Sequence, residues 1–457
     1  MLTDELVLAL RNQIRSQLDF SGAVTDEELT RNVEQTVFDY CNSGSPLTAA
    51  EKVQLVRRLF HSFRGLDILQ PLMDDQAVTE IMINHHGEIF IERSGTMTQL
   101  PAAFESKERL EDLIQAVVAG VNRVVNESSP IVDARLKDGS RVHVVLPPVA
   151  LRGPAMTIRK FPERPMTMEL LVAAGALTAE AAGFLQQLTA AQYNIFISGG
   201  TGTGKTTFLN ALSQFIPADE RVVTIEDSAE LQIRSVANLV SLETRNANTE
   251  GKGEITVRDL IRASLRMRPN RIIVGEVRGP ETLDMLQAMN TGHSGSMSTG
   301  HSNGARDMMA RLETMALGAA DLPVQVIRQQ IVSALDIVIH LSRFRDRTRR
   351  VTEIAEIVGI DGGEIELRPL FRFEEEGEKD GKVLGALKRT VHSLLHRNKL
   401  QMAGLTLEEE RFEDIGECDE SGESRESGES GESQESQESQ ESQESQEHRD
   451  SRATAAQ

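Results

Sequence analysis

The chain has 457 residues, a formal net charge of −21 and only two cysteines, Cys41 and Cys418. That length supports two or three domains with buried cores, and so few cysteines argue against a disulfide framework and fit a reducing compartment. No apolar run approaches the roughly 20 residues needed to cross a bilayer, and Met1-Leu2-Thr3-Asp4-Glu5 lacks a basic segment followed by an apolar one, so a cytoplasmic protein without a secretory signal is expected. The charge is uneven: residues 413–457 carry 15 acidic and 3 basic residues, which leaves −9 on the rest. Acidity therefore argues only mildly against a nucleic-acid partner.

Residues 1–65 read as a helical prefix, with Leu6, Leu10 and Ile14 early and Leu55, Leu59 and Phe60 late. Residues 66–161 read as an α+β domain. Strands are expected over Val78 to Asn84 and Glu88 to Glu92, then a helix from Lys107 to Val121, then strands over Arg141 to Leu146 and Ala155 to Phe161. His85 and His86 sit at the first hairpin. Neighbours on a strand point to opposite faces and no third ligand is near, so a turn is favoured over a metal site.

Residues 162–190 read as a linker, Pro162-Glu163-Arg164-Pro165 being a stiff hinge, followed by helix from Met168 to Leu188. Residues 191–373 alternate strand and helix, the pattern of an α/β domain with a mostly parallel sheet. Residues 374–412 read as a charged helical extension, helix being placed from Val383 to Leu400. In residues 413–457 glutamate recurs every third place from Glu423 to Glu447, a period that buries nothing, so disorder is expected.

The densest chemistry lies at Gly199-Gly200-Thr201-Gly202-Thr203-Gly204-Lys205-Thr206-Thr207, which satisfies the phosphate-loop pattern G-x-x-x-x-G-K-[ST]. A buried strand, Tyr193 to Ile197, precedes it, and Phe208, Leu209, Leu212 and Phe215 follow at helical spacing. Glycines let successive backbone N–H groups turn toward a phosphate, and the helix N-terminus adds its positive end. Lys205 is expected on the β- and γ-phosphates of ATP and the Thr206 hydroxyl on Mg²⁺.

Two strand ends supply carboxylates. Arg221-Val222-Val223-Thr224-Ile225-Glu226 leads on to Glu230, and a hydrolysing site needs a carboxylate to position water; Glu226 is the first candidate and Glu230 the second. Ile272-Ile273-Val274-Gly275-Glu276 has the Walker-B layout, with Glu276 toward Mg²⁺ or water. His293 and His301, in a run of small residues, are candidate γ-phosphate sensors. Thr256 and Asp259 resemble a capping box opening a helix on which Arg258, Arg262 and Arg266 share a face. That face is either solvated or an arginine finger.

In order, GGTGTGKTT, TIEDSAEL, LRMRPNRIIVGEVRG and TGHSGSMSTGHSN resemble the Walker A, Asp, Walker B and His boxes of the type II/type IV secretion ATPases. IVDARLKDGSRVHVVLPP upstream and RLETMALGAADLPVQVIRQQIVSALDIVIHLSRFRDRTRRV downstream resemble the CpaF-type branch, which assembles tight-adherence (Flp) pili. The resemblance implies a RecA-like P-loop domain behind an N-terminal α+β domain, a homohexamer, and partners in an inner-membrane platform. By it Glu226 and Glu230 match Asp-box acids, Glu276 the Walker-B glutamate, His293 and His301 the His box, and Arg135, Arg141 and Arg159 arginines that approach the nucleotide or the adjoining subunit. The Ser- and Met-rich His box departs from the family, the tetracysteine zinc motif of some members is missing, and the closing tail differs.

Two other classes stay open. The basic run Arg343 to Arg350 suits a nucleic-acid translocase, although its place between two strand-like segments suits a charged turn. A nucleotide-gated scaffold that does not hydrolyse is the third, against which the full set of glutamates argues.

Overall fold

The computed structural model describes residues 4–407 apart from 19–23, 44–46, 94, 122, 162–164 and 248–250. The hinge at Pro162 lies mostly outside the described residues, and the acidic tail wholly so. Helices α1 (Asp4–Gln17), α2 (Asp26–Asn42) and α3 (Ala49–Arg64) bury one apolar stripe each, with Leu10, Ile14, Val33, Leu55 and Leu59 at their shared centre. Thr25 caps α2, and Thr48 with Glu51 forms a capping box on α3, satisfying amides that would otherwise lack acceptors. The bundle is tied to the next domain by Arg11–Glu105 and by Arg109, which reaches both Asp67 and the Ser62 carbonyl.

After α4 (Gln70–Asp74) come β1 (Val78–His85), β2 (Glu88–Arg93), β3 (Thr96–Gln99), α5 (Lys107–Ala119), β4 (Ile131–Arg135), β5 (Arg141–Val145) and β6 (Ala155–Arg159). The strands form an antiparallel sheet in the order β3-β2-β1-β6-β5-β4. Ile81, Ile83, Ile89, Ile91, Val142, Val144, Met156 and Ile158 alternate inward and meet Leu110, Ile114 and Val118 of α5. The other face of β5 and β6 carries Arg141 and Arg159, and this polarity turns those arginines toward the second sheet.

One helix expected from Met168 to Leu188 is two, α6 (Met168–Ala173) and α7 (Ala179–Ala190). Gly175 has φ +70 between them, and Thr178 starts α7 as its N-cap. The second sheet then builds from β7 (Ile195–Gly199), α8 (Lys205–Ser213), β8 (Arg221–Glu226), β9 (Asn238–Glu243), α9 (Val257–Ser264), β10 (Arg271–Val274), α10 (Glu281–Met289), β11 (Met297–Gly300), α11 (Ala305–Leu317) and α12 (Val324–Ala334). It continues through β12 (Ile337–Arg343), β13 (Arg349–Asp361), β14 (Glu364–Lys379) and β15 (Lys382–Arg389), and the short α13 (Asn398–Met402) closes the described chain.

Nine strands lie in the order β15-β14-β13-β12-β7-β11-β10-β8-β9. From β12 through β9 every pairing is parallel, with apolar clusters on both faces, so β7 reads as a continuous buried run. This is the α/β, RecA-like arrangement. All the parallel strands deliver their C-terminal ends to one edge, where ligands sit in open α/β sheets.

The charged helical extension expected at 374–412 is a correction. Residues through Arg389 are antiparallel strands, and among the described residues beyond them only Asn398–Met402 is helical. Asp380 and Gly381 both have positive φ and make the tight turn joining β14 to β15. Leu370, Phe371 and Leu387 join the core and Val383 is buried, while Lys388 pairs across the exposed end with Glu374 and Glu376. Among the described residues no helix is long and apolar enough to cross a membrane.

Candidate active site at the phosphate loop

Strand β7 is buried along its whole length and stops at Gly199, where φ is +156. A Cβ there would lie 2.5 Å from the Leu341 carbonyl oxygen and 2.7 Å from Thr203 Oγ1, so only glycine fits. Gly202 and Gly204 turn the chain at φ +72 and +92, and Thr203 Oγ1 braces the loop by donating to the Gly200 carbonyl at 2.9 Å. No side chain caps α8. Its first N–H groups are therefore left for an anion, with the helix dipole aligned behind them.

Lys205, the first residue of α8, is buried. Its Nζ donates to the Gly199 and Gly200 carbonyls at 3.1 and 3.0 Å and to His301 Nδ1 at 3.2 Å. An ammonium has no lone pair to accept with, so His301 Nδ1 is the acceptor and its proton lies on Nε2. Burial lowers the pKa of both groups, and the Lys205 and Arg278 charges lower that of His301 further, against the pull of Glu276. His301 is a neutral imidazole at pH 7.

His301 follows β11, and Glu276 follows β10 by two residues, so adjacent strand ends bring them together. His301 Nε2 lies 2.8 Å from Glu276 Oε1 but off the hydrogen-bond direction, which leaves that buried oxygen without a donor. The other oxygen accepts from Arg278 at 2.9 Å. Burial opposes the charge of Glu276, yet the Arg278 hydrogen bond and the charges of Arg278 and Lys205 outweigh it and hold its pKa low. An ionised carboxylate with one unsatisfied oxygen thus stands beside the phosphate loop. Thr206, half-buried on the first turn of α8, completes the donors on this side, while Thr207 is exposed.

Glu226, the first candidate for positioning water, turns its carboxyl onto the backbone that follows β8. Its carboxyl accepts from the backbone N–H groups of Glu230 at 2.9 Å and Leu231 at 3.1 Å, and a Cβ on Gly275 would come within 2.9 Å of its Cγ. Burial pushes its pKa up to about 7 against those two hydrogen bonds. It folds the segment after β8, which Asn210 of α8 also holds by accepting from Gln232 N–H at 2.7 Å.

That segment places Glu230 against the first sheet. Arg141 bonds Glu230, Arg159 reaches it at 3.4 Å, and Arg135 lies 3.6 Å from Glu243. These contacts border a cavity of about 620 Å³ between the sheets, lined also by Asp227 and Arg278. Arg278 joins the two regions, since it holds Glu276 and lies 3.7 Å from Asp227. Sequence reading missed it, although it stands two residues after the Walker-B glutamate. Arg349 was missed as well; its Nε donates to the Gly202 carbonyl at 2.9 Å.

Three expected catalytic residues lie elsewhere. β11 runs beside β7 from Met297, opposite Ile195, to Gly300, opposite Ser198. His293 precedes β11 and so sits at the far end of the sheet from the phosphate loop, its Nδ1 3.0 Å from the Ala288 carbonyl oxygen in a tight turn. Arg262 bonds Asp284 of α10 at 3.1 Å, and Arg258 bonds the same carboxylate at 2.6 Å. Helix α9 stops at Ser264, so Arg266 lies past its end, exposed.

A family model described as type II/IV secretion system protein matches residues 63–419. The chain belongs to that family. With its phosphate loop intact, it is an ATPase of that family. Conjugal transfer protein TrbB of Rhizobium radiobacter is 34% identical over 327 residues, covering 71% of this chain and 96% of the relative. A Mycobacterium tuberculosis protein named for conjugal transfer is 37% identical over 316 residues, covering 67% and 88%. Among solved structures, the VirB11 ATPase of the Brucella suis type IV secretion system is 30% identical, covering 63% of this chain and 94% of its own, with a TM-score of 0.35.

Proposed function

We propose that the chain is a homohexameric, CpaF-like motor that hydrolyses ATP to power pilus assembly or protein secretion, held at the bacterial inner membrane by platform proteins. The observation that carries this reading is the buried, donor-less Glu276 Oε1 beside the glycine loop, since a buried carboxylate oxygen without a partner is costly unless something fills the place. The loop N–H groups and Lys205 would hold the β- and γ-phosphates, Lys205 exchanging its two carbonyl partners for phosphate oxygens. Glu276 would orient the attacking water and take its proton, and neutral His301 would donate from Nε2 toward the γ-phosphate. The site fits Mg²⁺: Thr206 and Glu276 would hold it, and bound there it would neutralise phosphate charge.

Coupling to motion would run through the junction. Partly exposed ion pairs such as Glu230 with Arg141 and Arg159 are worth roughly 1 kcal/mol or less, so a nucleotide phosphate can replace them. A ligand that prefers the closed junction shifts the angle between the sheets by that preference. The names of the relatives, which refer to conjugal transfer and type IV secretion, agree with a secretion motor. The translocase reading is weakened because the basic run is a hairpin in which Arg345 binds Glu375 and Glu378 and Arg350 packs on Phe344 and Phe373.

The test is Glu276→Gln, compared with wild type for ATP binding, phosphate release and native mass. The reading requires a hexamer that keeps ATP and loses turnover by at least about 100-fold. Turnover within a few-fold of wild type would remove Glu276 from the chemistry, and a monomer under all nucleotide conditions would remove the ring.

A further inference from the structure

The turn between β12 and β13 leans on the phosphate loop. Leu341 of β12 closes one end of the loop, its carbonyl oxygen 2.5 Å from where a Gly199 Cβ would be, and Arg349 of β13 closes the other. Arg349 Nε donates to the Gly202 carbonyl at 2.9 Å, and its Cδ lies 3.5 Å from where a Gly204 Cβ would stand. We propose that Arg349 is a positioning residue for the phosphate loop, holding the Gly202–Thr203 peptide in the orientation that receives a nucleotide phosphate. This rests on the ATP-binding reading and adds to it a residue from outside the motif.

The peptide group is planar and trans, so a carbonyl pinned toward Arg349 fixes the Thr203 N–H in the opposite direction. Gly202 sits in the left-handed region between further glycines, where the backbone has the most freedom to turn that peptide over. A charge-assisted hydrogen bond at this point removes the freedom before the nucleotide arrives. The guanidinium also puts a positive charge at the edge of an anion site.

Arg349 is exposed, which alone would make it a poor clamp, but its turn is braced. Phe344 N–H donates to the Thr348 carbonyl at 2.8 Å, Arg345 is forked on Glu375, and Arg347 donates to Thr96 Oγ1 of the first sheet at 3.0 Å. The backbone that presents Arg349 is thereby held from two sides.

Titration of the full chain with a fluorescent N-methylanthraniloyl ADP tests this, using wild type, Arg349→Ala, Arg349→Lys and, as an exposed neighbour, Arg343→Ala. Loss of a charged hydrogen bond predicts about tenfold weaker binding for Arg349→Ala, partial recovery in Arg349→Lys and no change in Arg343→Ala. In steady-state hydrolysis KM should rise by a similar factor with kcat within about twofold. A melting temperature equal to wild type shows that the fold is intact; if Arg349→Ala melts early, Arg349→Lys decides. Wild-type affinity in a folded Arg349→Ala protein overturns the positioning role alone. Failure of wild type to bind the probe overturns the nucleotide reading and this role with it.

Discussion

Replacing Glu226 with glutamine keeps the side chain's shape and an acceptor for the Glu230 and Leu231 amides while removing its charge. The wild-type carboxyl is buried, and its pKa moves from the ordinary 4.5 to about 7, so the fold favours the neutral form by about 3 kcal/mol at 1.36 kcal/mol per pKa unit. The proton is held more tightly in the folded than in the unfolded state. The stability this gives is therefore complete below pH 4.5 and is lost as pH rises through about 7. Glutamine does not titrate, so the variant should gain on wild type across that window, by about 3 kcal/mol when pH reaches about 8.5. At roughly 2–4 °C per kcal/mol for a domain of this size, the gain is roughly 6–12 °C in melting temperature, shrinking toward zero near pH 4.5. Thermal melts of both proteins across that range measure it. A difference independent of pH, or wild type gaining as pH rises, would refute the buried-acid assignment and return Glu226 to the role of an ionised catalytic carboxylate.

The two histidines should separate. His301→Ala removes the acceptor of Lys205 and the imidazole beside Glu276 and should cut phosphate release by at least about tenfold, while His293→Ala should alter activity less than about twofold in an initial-rate assay. Gly199→Ala drives a Cβ into the Leu341 carbonyl, so fluorescent-nucleotide titration should find binding lost in a protein that still elutes as folded. Arg271 is fully buried on Glu220 and also donates to the Thr189 carbonyl at 2.7 Å. Arg271→Ala strands that carboxylate and should cost about 3–5 kcal/mol, read as an early thermal melt, whereas Arg271→Met with Glu220→Leu should recover most of it.

The phosphate loop and the parallel sheet were legible because each rests on a local rule: glycines at forced turns, a lysine at the helix start, apolar runs on buried strands. The ends of those strands were also legible, and Glu276 and His301 follow from them. What was not legible depends on direction. Glu226 ends one buried strand and Glu276 follows another, but only coordinates distinguish a carboxyl turned onto its own backbone from one turned to the loop. His293 and His301 flank the same strand, and eight residues of separation put them at opposite ends of it. Arg262 was placed on the correct helix, whose partner, Asp284, comes from another helix 22 residues on.

The strand pair after Glu364 was within reach of sequence. Asp380-Gly381 between Val383 and the Leu370-Phe371 run is a strong hairpin signal, but the surrounding charge obscured the apolar alternation. Arg349 was hidden for the opposite reason, since five arginines in eight residues look like a solvated turn. Only the packing of β12 beside β7 sets one of them over the loop.

Phosphate release by purified wild type and Lys205→Ala, at saturating ATP and Mg²⁺, tests the central claim most directly. If the glycine loop clasps the triphosphate and Lys205 carries its charge, wild type releases phosphate steadily and Lys205→Ala falls to the no-enzyme rate. Equal rates in the two proteins would mean that ATP is broken elsewhere or not by this chain.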